Sequence, residues 1–334
     1  MKKIKLGIIG TGIAAEHLHL PALLKLKSKI QIAKVCNHAE EKAKRFAKLA
    51  GSVPYATDYR EILNDPGIDA VDILLPIVLN YKVTKEALKA GKHVLVEKPI
   101  AANLAEAKKM FKFPGEYNKV MMVAENFRYK KIFRKAKSLL DKNVIGKIYS
   151  LKYDVFHNVS ENNMYAKTKW RKNHKYAGGF ITDGGVHFIA GIRYLLGEIT
   201  SGTAYAVSVN NKIGELDTLN LQFEMDNNVN GTFNMYYSSR GYQGDRVLIF
   251  GEKGTLEING SKVFVRKEDK PVKEYDCKDD GGFYSELNNF YNAITKGEKI
   301  IGTFEEAYKD LNVVMGALKS AKTKKKVYFN NLSG

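Results

Sequence analysis

The sequence predicts two domains: a doubly wound α/β domain with a parallel sheet, then an α+β domain with a large, mainly antiparallel open sheet. The chain has 334 residues, more than one hydrophobic core ordinarily serves. Up to about residue 124, short apolar runs alternate with helical patterns, which is typical of a parallel sheet. Beyond it, strand-like stretches follow one another across turns such as Asn230-Gly231, which indicates antiparallel pairing. We therefore expect domains at 1–124 and 125–334.

In the first domain, buried apolar runs predict the strands and amphipathic segments predict the helices. Strands are expected at 4–9, 30–36, 69–75, 93–96 and 120–123. Helices are expected at 14–26, 39–49, 81–90 and 102–111. Gly91 ends the third of these helices, because a residue without Cβ adopts the left-handed cap at no steric cost.

In the second domain, the same patterns predict a sheet with helices before, within and after its strands. Helices are expected at 129–141, 185–196, 283–296 and 303–320. Strands are expected at 147–157, 203–209, 217–225, 229–237, 245–250, 255–258 and 262–267. The sequence contains no internal repeat and no low-complexity linker.

The composition is that of a soluble protein of the reducing cytoplasm. Cys36 and Cys277 are too few for a disulfide framework, and no apolar run approaches the ~18 residues of a membrane span. The first residues lack the apolar core and cleavage site of a signal peptide. A metal site is not expected, since His17 and His19 stand too close together to form one with any other visible ligand.

The formal net charge of +18 raises the alternative of a nucleic-acid-binding protein. The 54 cationic residues, however, are 45 lysines and 9 arginines, and they are spread along the whole chain. Readers of bases and phosphates usually rely on arginine, whose planar fork pairs bidentately. We therefore attribute the charge to a compositional bias of the source organism, or to attraction of an anionic cofactor or substrate. We expect no specific binding of nucleic acid and no binding to a membrane.

A dinucleotide-binding loop is predicted between the first strand and the first helix. Residues 7–15 place G-x-G-x-x-A there: Gly10 permits the tight turn, Gly12 lets a pyrophosphate approach, and Ala15 allows close packing. Free N–H groups at the start of the helix would bind the phosphates. The alternative is a merely structural turn, but the strand and helix around the motif favour the Rossmann interpretation.

The end of the second strand bears on the choice between NAD and NADP. A carboxylate there bonds the ribose 2′-OH of NAD, whereas a neutral or basic residue tolerates a 2′-phosphate. This chain has Asn37 and His38 instead. Asn37 could donate to either group, and His38 could stack on the adenine or face water, so the sequence favours NADP only slightly.

Two segments carry candidate catalytic side chains. Glu97-Lys98-Pro99 ends a predicted parallel strand, where ligands bind, so Lys98 could reach a substrate oxygen rather than being one more surface lysine. Asp183 and His187 lie four residues apart in a glycine-rich stretch, on one face of the predicted helix. Its glycines suggest close approach of a ligand or nicotinamide; the alternative is a helix cap beside a buried histidine.

These motifs together resemble the glucose–fructose oxidoreductase/inositol dehydrogenase (Gfo/Idh/MocA) family over essentially the whole chain. Besides the loop and the two segments above, the matching elements are Asn126-Phe127-Arg128-Tyr129, Trp170-Arg171, residues 251–256, and the helix from Phe283 to Ile294. The sequence departs from the family at Leu75 and Asn80, where Thr and His are frequent, and at Asn37.

The resemblance implies a nicotinamide-dependent dehydrogenase or ketoreductase that acts on a sugar, cyclitol or related polyol. It implies a catalytic set of Lys98, Asp183 and His187. The implied cofactor-binding residues are Gly7, Gly10, Thr11, Gly12, Ile13, Ala15, Asn37, His38, Leu75, Pro76, Asn80, Glu97 and Lys98. The implied substrate-binding residues are Lys98, Asn126, Arg128, Trp170, Arg171, Asp183 and His187. A homodimer or homotetramer formed through the open sheet is also expected; the alternative function is a non-catalytic dinucleotide or sugar sensor on the same fold.

Overall fold

A computed structural model describes residues 3–329, which form two compact units. The first unit contains residues 3–126 and 282–308, and the second contains residues 127–281 and 309–329. Near its end, at residues 282–308, the chain therefore returns to the first unit. The prediction has one boundary, between residues 124 and 125, and contains no such return. Within residues 3–329, no helix combines the length and apolar character that a membrane span requires.

The first unit is built on a six-stranded parallel sheet of order β3-β2-β1-β4-β5-β6. Its strands are β1 (Ile4–Ile9), β2 (Ile30–Cys36), β3 (Tyr55–Ala56), β4 (Ala70–Ile73), β5 (His93–Glu97) and β6 (Met121–Ala124). The order reverses between β1 and β4, which are neighbours in space. This reversal is the switch point beside which α/β proteins bind ligands. The predicted parallel fold is confirmed.

The helices of the first unit connect and cover these strands. They are a π-helical segment (Ala15–His19) that continues into α1 (Leu20–Lys25), then α2 (Glu40–Leu49), α3 (Arg60–Leu63), α4 (Asn80–Lys89) after a 3-10 turn (Ile77–Leu79), α5 (Leu104–Glu116), and α9 (Phe283–Lys296). The central strands are buried along nearly their whole length, as expected for a sheet covered on both faces.

The second unit is built on a nine-stranded sheet of order β14-β13-β12-β11-β7-β10-β9-β8-β15. Its strands are β7 (Ile148–Phe156), β8 (Ile199–Val207), β9 (Thr218–Met225), β10 (Asn230–Tyr236), β11 (Gly244–Gly251), β12 (Gly254–Asn259), β13 (Lys262–Arg266), β14 (Lys273–Asp276) and β15 (Val327–Tyr328). The pairs are antiparallel except that β10 runs parallel to β7. A mainly antiparallel sheet is thus confirmed.

One face of this second sheet packs against the apolar helix α8 (Phe180–Leu196). Phe188 of α8 contacts the rings of Tyr153 and Phe233, which project from β7 and β10. The other face carries a hydrogen-bonded polar row in which Asn220 donates to Asn234, and Asn234 donates to Asp154. The unit also contains α6 (Lys131–Asp141) and α7 (Lys169–Lys172). Helix α10 (Phe304–Thr323) begins in the first unit and continues into the second.

Candidate active site

The loop after β1 lies at the switch point, and its first glycine is required by the backbone. Gly10 has a φ of +102°, a conformation that side chains with a Cβ rarely adopt. An added Cβ would lie 2.2 Å from the carbonyl oxygen of Leu74 and 3.2 Å from the side chain of Leu75. The structure therefore brings together the glycine loop and the segment after β4, which the sequence placed at the cofactor separately.

The second glycine of the loop, Gly12, borders open space. A Cβ built on Gly12 would meet no atom of the described chain within 4 Å, and Gly12 is exposed. Ala15, by contrast, is completely buried and packs the helix against the sheet. Open space beside the start of a helix is what a pyrophosphate needs, because the helix presents unpaired N–H groups there. The residues of the loop therefore fit a bound dinucleotide.

Three other residues of this region have different surroundings. Gly7 lies within β1, where an added Cβ would come within 2.3 Å of Ile62, so its small size serves packing. Thr11 is buried and donates to the carbonyl oxygen of Lys42 at 3.4 Å. Ile13 is half-buried at the start of the helix. Contacts between these three residues and a cofactor stay predictions.

The end of β2 offers a neutral side chain that is already ordered. The Asn37 amide donates to the Thr11 hydroxyl at 2.9 Å, and its oxygen accepts the Ala39 N–H at 3.0 Å. Asn37 therefore joins the glycine loop to the start of α2. His38 is exposed. Neither position supplies the carboxylate that would repel a 2′-phosphate.

Glu97-Lys98-Pro99 emerges from the carboxyl end of β5, as predicted, and its backbone is held at three points. The Lys98 N–H donates to the Glu97 carboxylate at 3.0 Å. The Asn80 amide donates to the carbonyl oxygens of Glu97 and Pro99, at 2.9 Å each. Asn80 is completely buried, so its amide is engaged with the protein, and its contact with a cofactor stays a prediction.

A buried ionisable cluster that the sequence did not predict lies under this segment. The His19 imidazole Nδ1 lies 2.8 Å from Asp72, and its Nε2 lies 3.2 Å from Glu97. Burial by itself would lower the pKa of His19, but the two carboxylates outweigh burial and raise the pKa well above its ordinary value. Burial also raises the pKa of Asp72 and, strongly, that of Glu286 on α9. These side chains come from elements remote in sequence, so no local motif marks them.

The second candidate cluster is on α8 and in the segment before it. Arg171 Nε donates to the Asp183 carboxylate at 2.6 Å, and both side chains are largely buried. The Arg171 guanidinium lies 4.0 Å from the centre of the Trp170 ring. The structure therefore brings Trp170, Arg171 and Asp183 together, and their contact with a substrate stays a prediction.

His187 lies one helical turn beyond Asp183, at the predicted spacing. Its half-buried imidazole stacks on the Phe127 ring, with centroids 4.9 Å apart and planes 17° apart. The Lys130 ammonium lies 3.2 Å from the centre of the Phe127 ring. Stacking gives the imidazole a defined orientation, as a proton acceptor needs, and its part in proton transfer stays a prediction.

Arg128, predicted to bind substrate, is buried against a carboxylate of its own unit. Its guanidinium donates to both oxygens of Asp310 at 3.0 and 2.9 Å, and Asp310 also bonds Arg193. Such an ion pair accounts for a buried arginine without a ligand. Asn126 is buried as well. Substrate contacts of Asn126 and Arg128 stay predictions.

The glycines before and within α8 approach side chains of the same unit. Added Cβ atoms would lie 2.5 Å from Leu318 at Gly178, 3.2 Å from His174 at Gly179, and 1.9 Å from the Tyr237 hydroxyl at Gly184. Gly185 has ordinary contact distances. Protein packing therefore explains three of these glycines, and the interpretation that they admit a ligand is not needed. Helix α8 also starts at Phe180, five residues before the prediction of 185.

Two tyrosines near Asp183 were missed by the sequence analysis. Burial, then the charge of Asp183, raises the pKa of Tyr176 and of Tyr237 far above the ordinary value, so both hydroxyls keep their protons. The Tyr176 hydroxyl is buried without a hydrogen-bond partner among the described residues. Tyr176 stands between Trp170-Arg171 and the glycines in sequence, the one signal that could have marked it. Tyr237 has no such signal.

The glycine loop at the switch point and the lysine segment at the end of β5 define a class: a protein with a Rossmann unit built for a dinucleotide, and a second α/β unit. The chain belongs to the Gfo/Idh/MocA oxidoreductase family. Residues 4–125 match its NAD-binding Rossmann fold, and residues 137–329 match its C-terminal alpha/beta domain. The resemblance inferred from sequence motifs is therefore confirmed. Within residues 3–329, no group of three or more His, Cys, Asp or Glu residues could hold a metal ion.

Among relatives, an uncharacterized protein of Saccharomyces cerevisiae is 33% identical over 96% of this chain and 97% of its own. Levoglucosan dehydrogenase of Pseudarthrobacter phenanthrenivorans is 30% identical over 61% of this chain and 54% of its own. The scyllo-inositol 2-dehydrogenase (NADP(+)) of Bacillus subtilis is 29% identical over 66% and 60%.

Solved structures agree with this fold. A crystal structure of an oxidoreductase from Thermotoga maritima has a TM-score of 0.93 and 35% identity, covering 99% of this chain and 100% of its own. Levoglucosan dehydrogenase in complex with NADH and levoglucosan has a TM-score of 0.90 and 22% identity, with the same coverage. The second likeness concerns the fold alone.

Proposed function

We propose that the protein is an NAD(P)-dependent dehydrogenase or ketoreductase that acts on a CH–OH group of a sugar, cyclitol or related polyol. The observation that carries this proposal is Lys98, whose backbone is fixed at the carboxyl end of β5, at the same edge of the parallel sheet as a glycine loop that leaves room for a dinucleotide. Relatives named for levoglucosan and scyllo-inositol support the substrate class, because both compounds present ring hydroxyls.

For the cofactor, we propose acceptance of both NAD and NADP, with a slight preference for NADP. Asn37 supports this choice, since its neutral amide stands where a carboxylate would select against a 2′-phosphate. The relatives point both ways: the scyllo-inositol enzyme is named for NADP, and the levoglucosan enzyme is solved with NADH.

In the proposed reaction, the alcohol carbon loses a hydride and the alcohol oxygen loses a proton, giving a ketone. The nicotinamide, when bound, takes up or supplies the hydride. His187 takes the hydroxyl proton, and Phe127 keeps its ring in one orientation. Lys98 stabilises negative charge on the oxygen. Asp183, held by Arg171, bonds a neighbouring hydroxyl or orients the imidazole. In the reverse direction His187 returns the proton.

The alternative is a non-catalytic sensor that binds dinucleotide or sugar without turnover. The retention of Lys98, Asp183 and His187 argues against it, since a sensor needs no proton acceptor. A third class, a nucleic-acid-binding protein, would show DNA affinity that falls steeply with salt.

The decisive experiment is a turnover assay. Purified protein is incubated with NAD⁺ or NADP⁺ and with levoglucosan, scyllo-inositol and a panel of aldoses and polyols, and reduced nicotinamide is followed by absorbance. We expect oxidation of at least one ring alcohol, and loss of that activity in the Lys98→Ala variant. Tight cofactor binding with no turnover of any member, in either direction, would favour the sensor.

We also propose that the open face of the second sheet joins copies of the chain into a homodimer or homotetramer. The Asn220–Asn234–Asp154 row supports this, because bonded polar side chains form a flat, ordered surface there. Light scattering coupled to size exclusion should give two or four times the chain mass of 37.5 kDa. A monomeric mass at micromolar concentration would contradict the proposal.

A further inference from the structure

The buried cluster beneath Lys98 has a geometry that the proposed reaction does not use. His19 is completely buried between Asp72 of β4 and Glu97 of β5. An ionised carboxylate only accepts hydrogen bonds, and an imidazole can donate from both nitrogens only when it is protonated. A neutral ring would present a lone pair to one of the two carboxylates, whereas an imidazolium presents an N–H to each, so this arrangement calls for an imidazolium.

The contacts of Glu97 continue from this imidazolium to the lysine. One Glu97 oxygen lies 3.2 Å from His19 Nε2, an ion-pair distance at which the N–H is not aligned for a regular hydrogen bond. The other oxygen accepts the Lys98 backbone N–H at 3.0 Å. One carboxylate therefore contacts both the His19 ring and the Lys98 backbone.

We propose that His19 is a positioning residue for Lys98: its imidazolium, anchored by Asp72, orients the Glu97 carboxylate, which in turn fixes the Lys98 N–H. This inference rests on the proposed function only in assigning Lys98 a part in the reaction. Asn80 completes the arrangement by holding the carbonyl groups on either side of Lys98. A long side chain reaches one place only if its backbone is fixed, and small misplacements of reacting groups are costly to the rate.

The other charged groups around His19 are consistent with this arrangement. Glu286 of α9 faces the cluster, and its burial, with the charges of Glu97, Glu125 and Asp72, raises its pKa well above the ordinary value despite the opposing charge of His19. A protonated Glu286 adds no third negative charge, so the imidazolium is shared by Asp72 and Glu97. The Phe283 ring packs at a tilt near the imidazole, with ring centroids 6.0 Å apart.

The first test does not depend on activity. In His19→Gln, backbone hydrogen exchange at the Lys98 amide should accelerate at least tenfold, while the amides of Leu95 and Val96 in the β5 ladder keep their wild-type rates. His17→Gln is the matched control, because His17 is on the same helical segment but exposed. Unchanged exchange at Lys98, or equal acceleration throughout β5, overturns the proposal. If His19→Gln does not fold, Asp72→Asn is used, since it keeps the side-chain shape and removes the charge.

The second test separates positioning from general damage. His19→Gln should lower kcat about 10- to 100-fold and leave the KM for the cofactor within twofold. In the Lys98→Ala background the same substitution should have no further effect, because a residue that acts only through Lys98 loses its influence when Lys98 is gone. If the kcat losses of His19→Gln and Lys98→Ala multiply in the double variant, the proposal is overturned. A fully active Lys98→Ala enzyme overturns the proposed role of Lys98 instead, while the exchange result still decides whether His19 fixes the backbone.

Discussion

At the scale of single residues, the two glycines of the dinucleotide loop have opposite reasons for lacking a side chain. Gly10 is required by its own backbone conformation and by the Leu74 carbonyl group. Gly12 has neither constraint, so its small size matters only when a ligand arrives. The consensus motif treats them alike, and the structure distinguishes them.

Gly12→Val should therefore remain folded and lose dinucleotide binding, because the added side chain enters the open space that the pyrophosphate needs. Gly10→Ala, the matched control, should lower the melting temperature, because a Cβ there meets the Leu74 carbonyl oxygen. Nucleotide fluorescence titration and thermal unfolding measure the two properties. Wild-type affinity of Gly12→Val for NADH and NADPH would show that the loop is not the cofactor site.

Asn37→Asp should shift the cofactor preference toward NAD. The new carboxylate can still accept the Ala39 N–H, and the Thr11 hydroxyl can turn from the Lys42 carbonyl oxygen, 3.4 Å away, to donate to it, so the local structure should survive. Its charge would repel a 2′-phosphate. Titration of both cofactors into wild type, Asn37→Asp and the exposed neighbour variant His38→Gln measures the shift. If the wild type strongly prefers NAD and Asn37→Asp leaves that preference unchanged, Asn37 does not take part in choosing the cofactor.

At the scale of elements, the strands of the first unit were predictable because buried parallel strands read as continuous apolar runs. Segments that are too short to show a period were missed, namely β3, β14, β15, α3 and α7. The parallel pairing of β7 with β10 could not be predicted, because alternation has the same period in parallel and antiparallel strands. Helix α9 was found as a helix, but its return to the first unit depends on tertiary packing.

The return of α9 places a buried carboxyl group beside His19. Because the pKa of Glu286 is raised in the folded state, the unfolded chain loses this proton at lower pH. The stability that it contributes is complete below the unfolded pKa of about 4.3 and is lost as pH rises toward the folded pKa. His19, whose folded pKa is also raised, acts in the same direction above about pH 6.5.

Glu286→Gln should therefore flatten the alkaline fall of stability, because a glutamine resembles the protonated acid and has no proton to lose. Melting temperatures between pH 5 and 9 should fall less for this variant than for wild type. Glu116→Gln on α5, where the glutamate is exposed, is the control and should follow the wild-type curve. A fall equal to that of wild type would mean that Glu286 is already ionised in the folded protein over this pH range and would contradict the raised pKa.

At the scale of the whole molecule, much of the candidate site could be predicted from three motifs: the glycine loop, Glu-Lys-Pro, and the Asp183–His187 pair. Each motif is local in sequence, so its element and spacing are readable. Contacts between distant segments, such as His19 with Glu97 or Arg171 with Asp183, have no local period and appear only in the folded chain. The residues that we propose to orient the reacting groups, such as His19, belong to this second kind.

The proposed reaction depends on Lys98 and His187. Lys98→Ala and His187→Ala should each leave the fold and cofactor binding largely intact and lower kcat, because both groups act on charge that develops at the substrate oxygen. Loss of one electrostatic donor typically costs ~10²–10³-fold, and loss of a general base ~10²–10⁴-fold. Since both serve the same oxygen, the double variant should be less impaired than the product of the single effects.

The pH dependence separates the two roles. A general base accepts a proton only in its unprotonated form, so the rate of alcohol oxidation by the wild type should have a limb that rises with pH. His187→Ala should lose that limb of the profile, and Lys98→Ala should retain it at a lower rate. The measurement is kcat against pH for all three proteins on one substrate. Wild-type turnover by both single variants would show that neither residue takes part in the reaction. The sensor would then explain the site better.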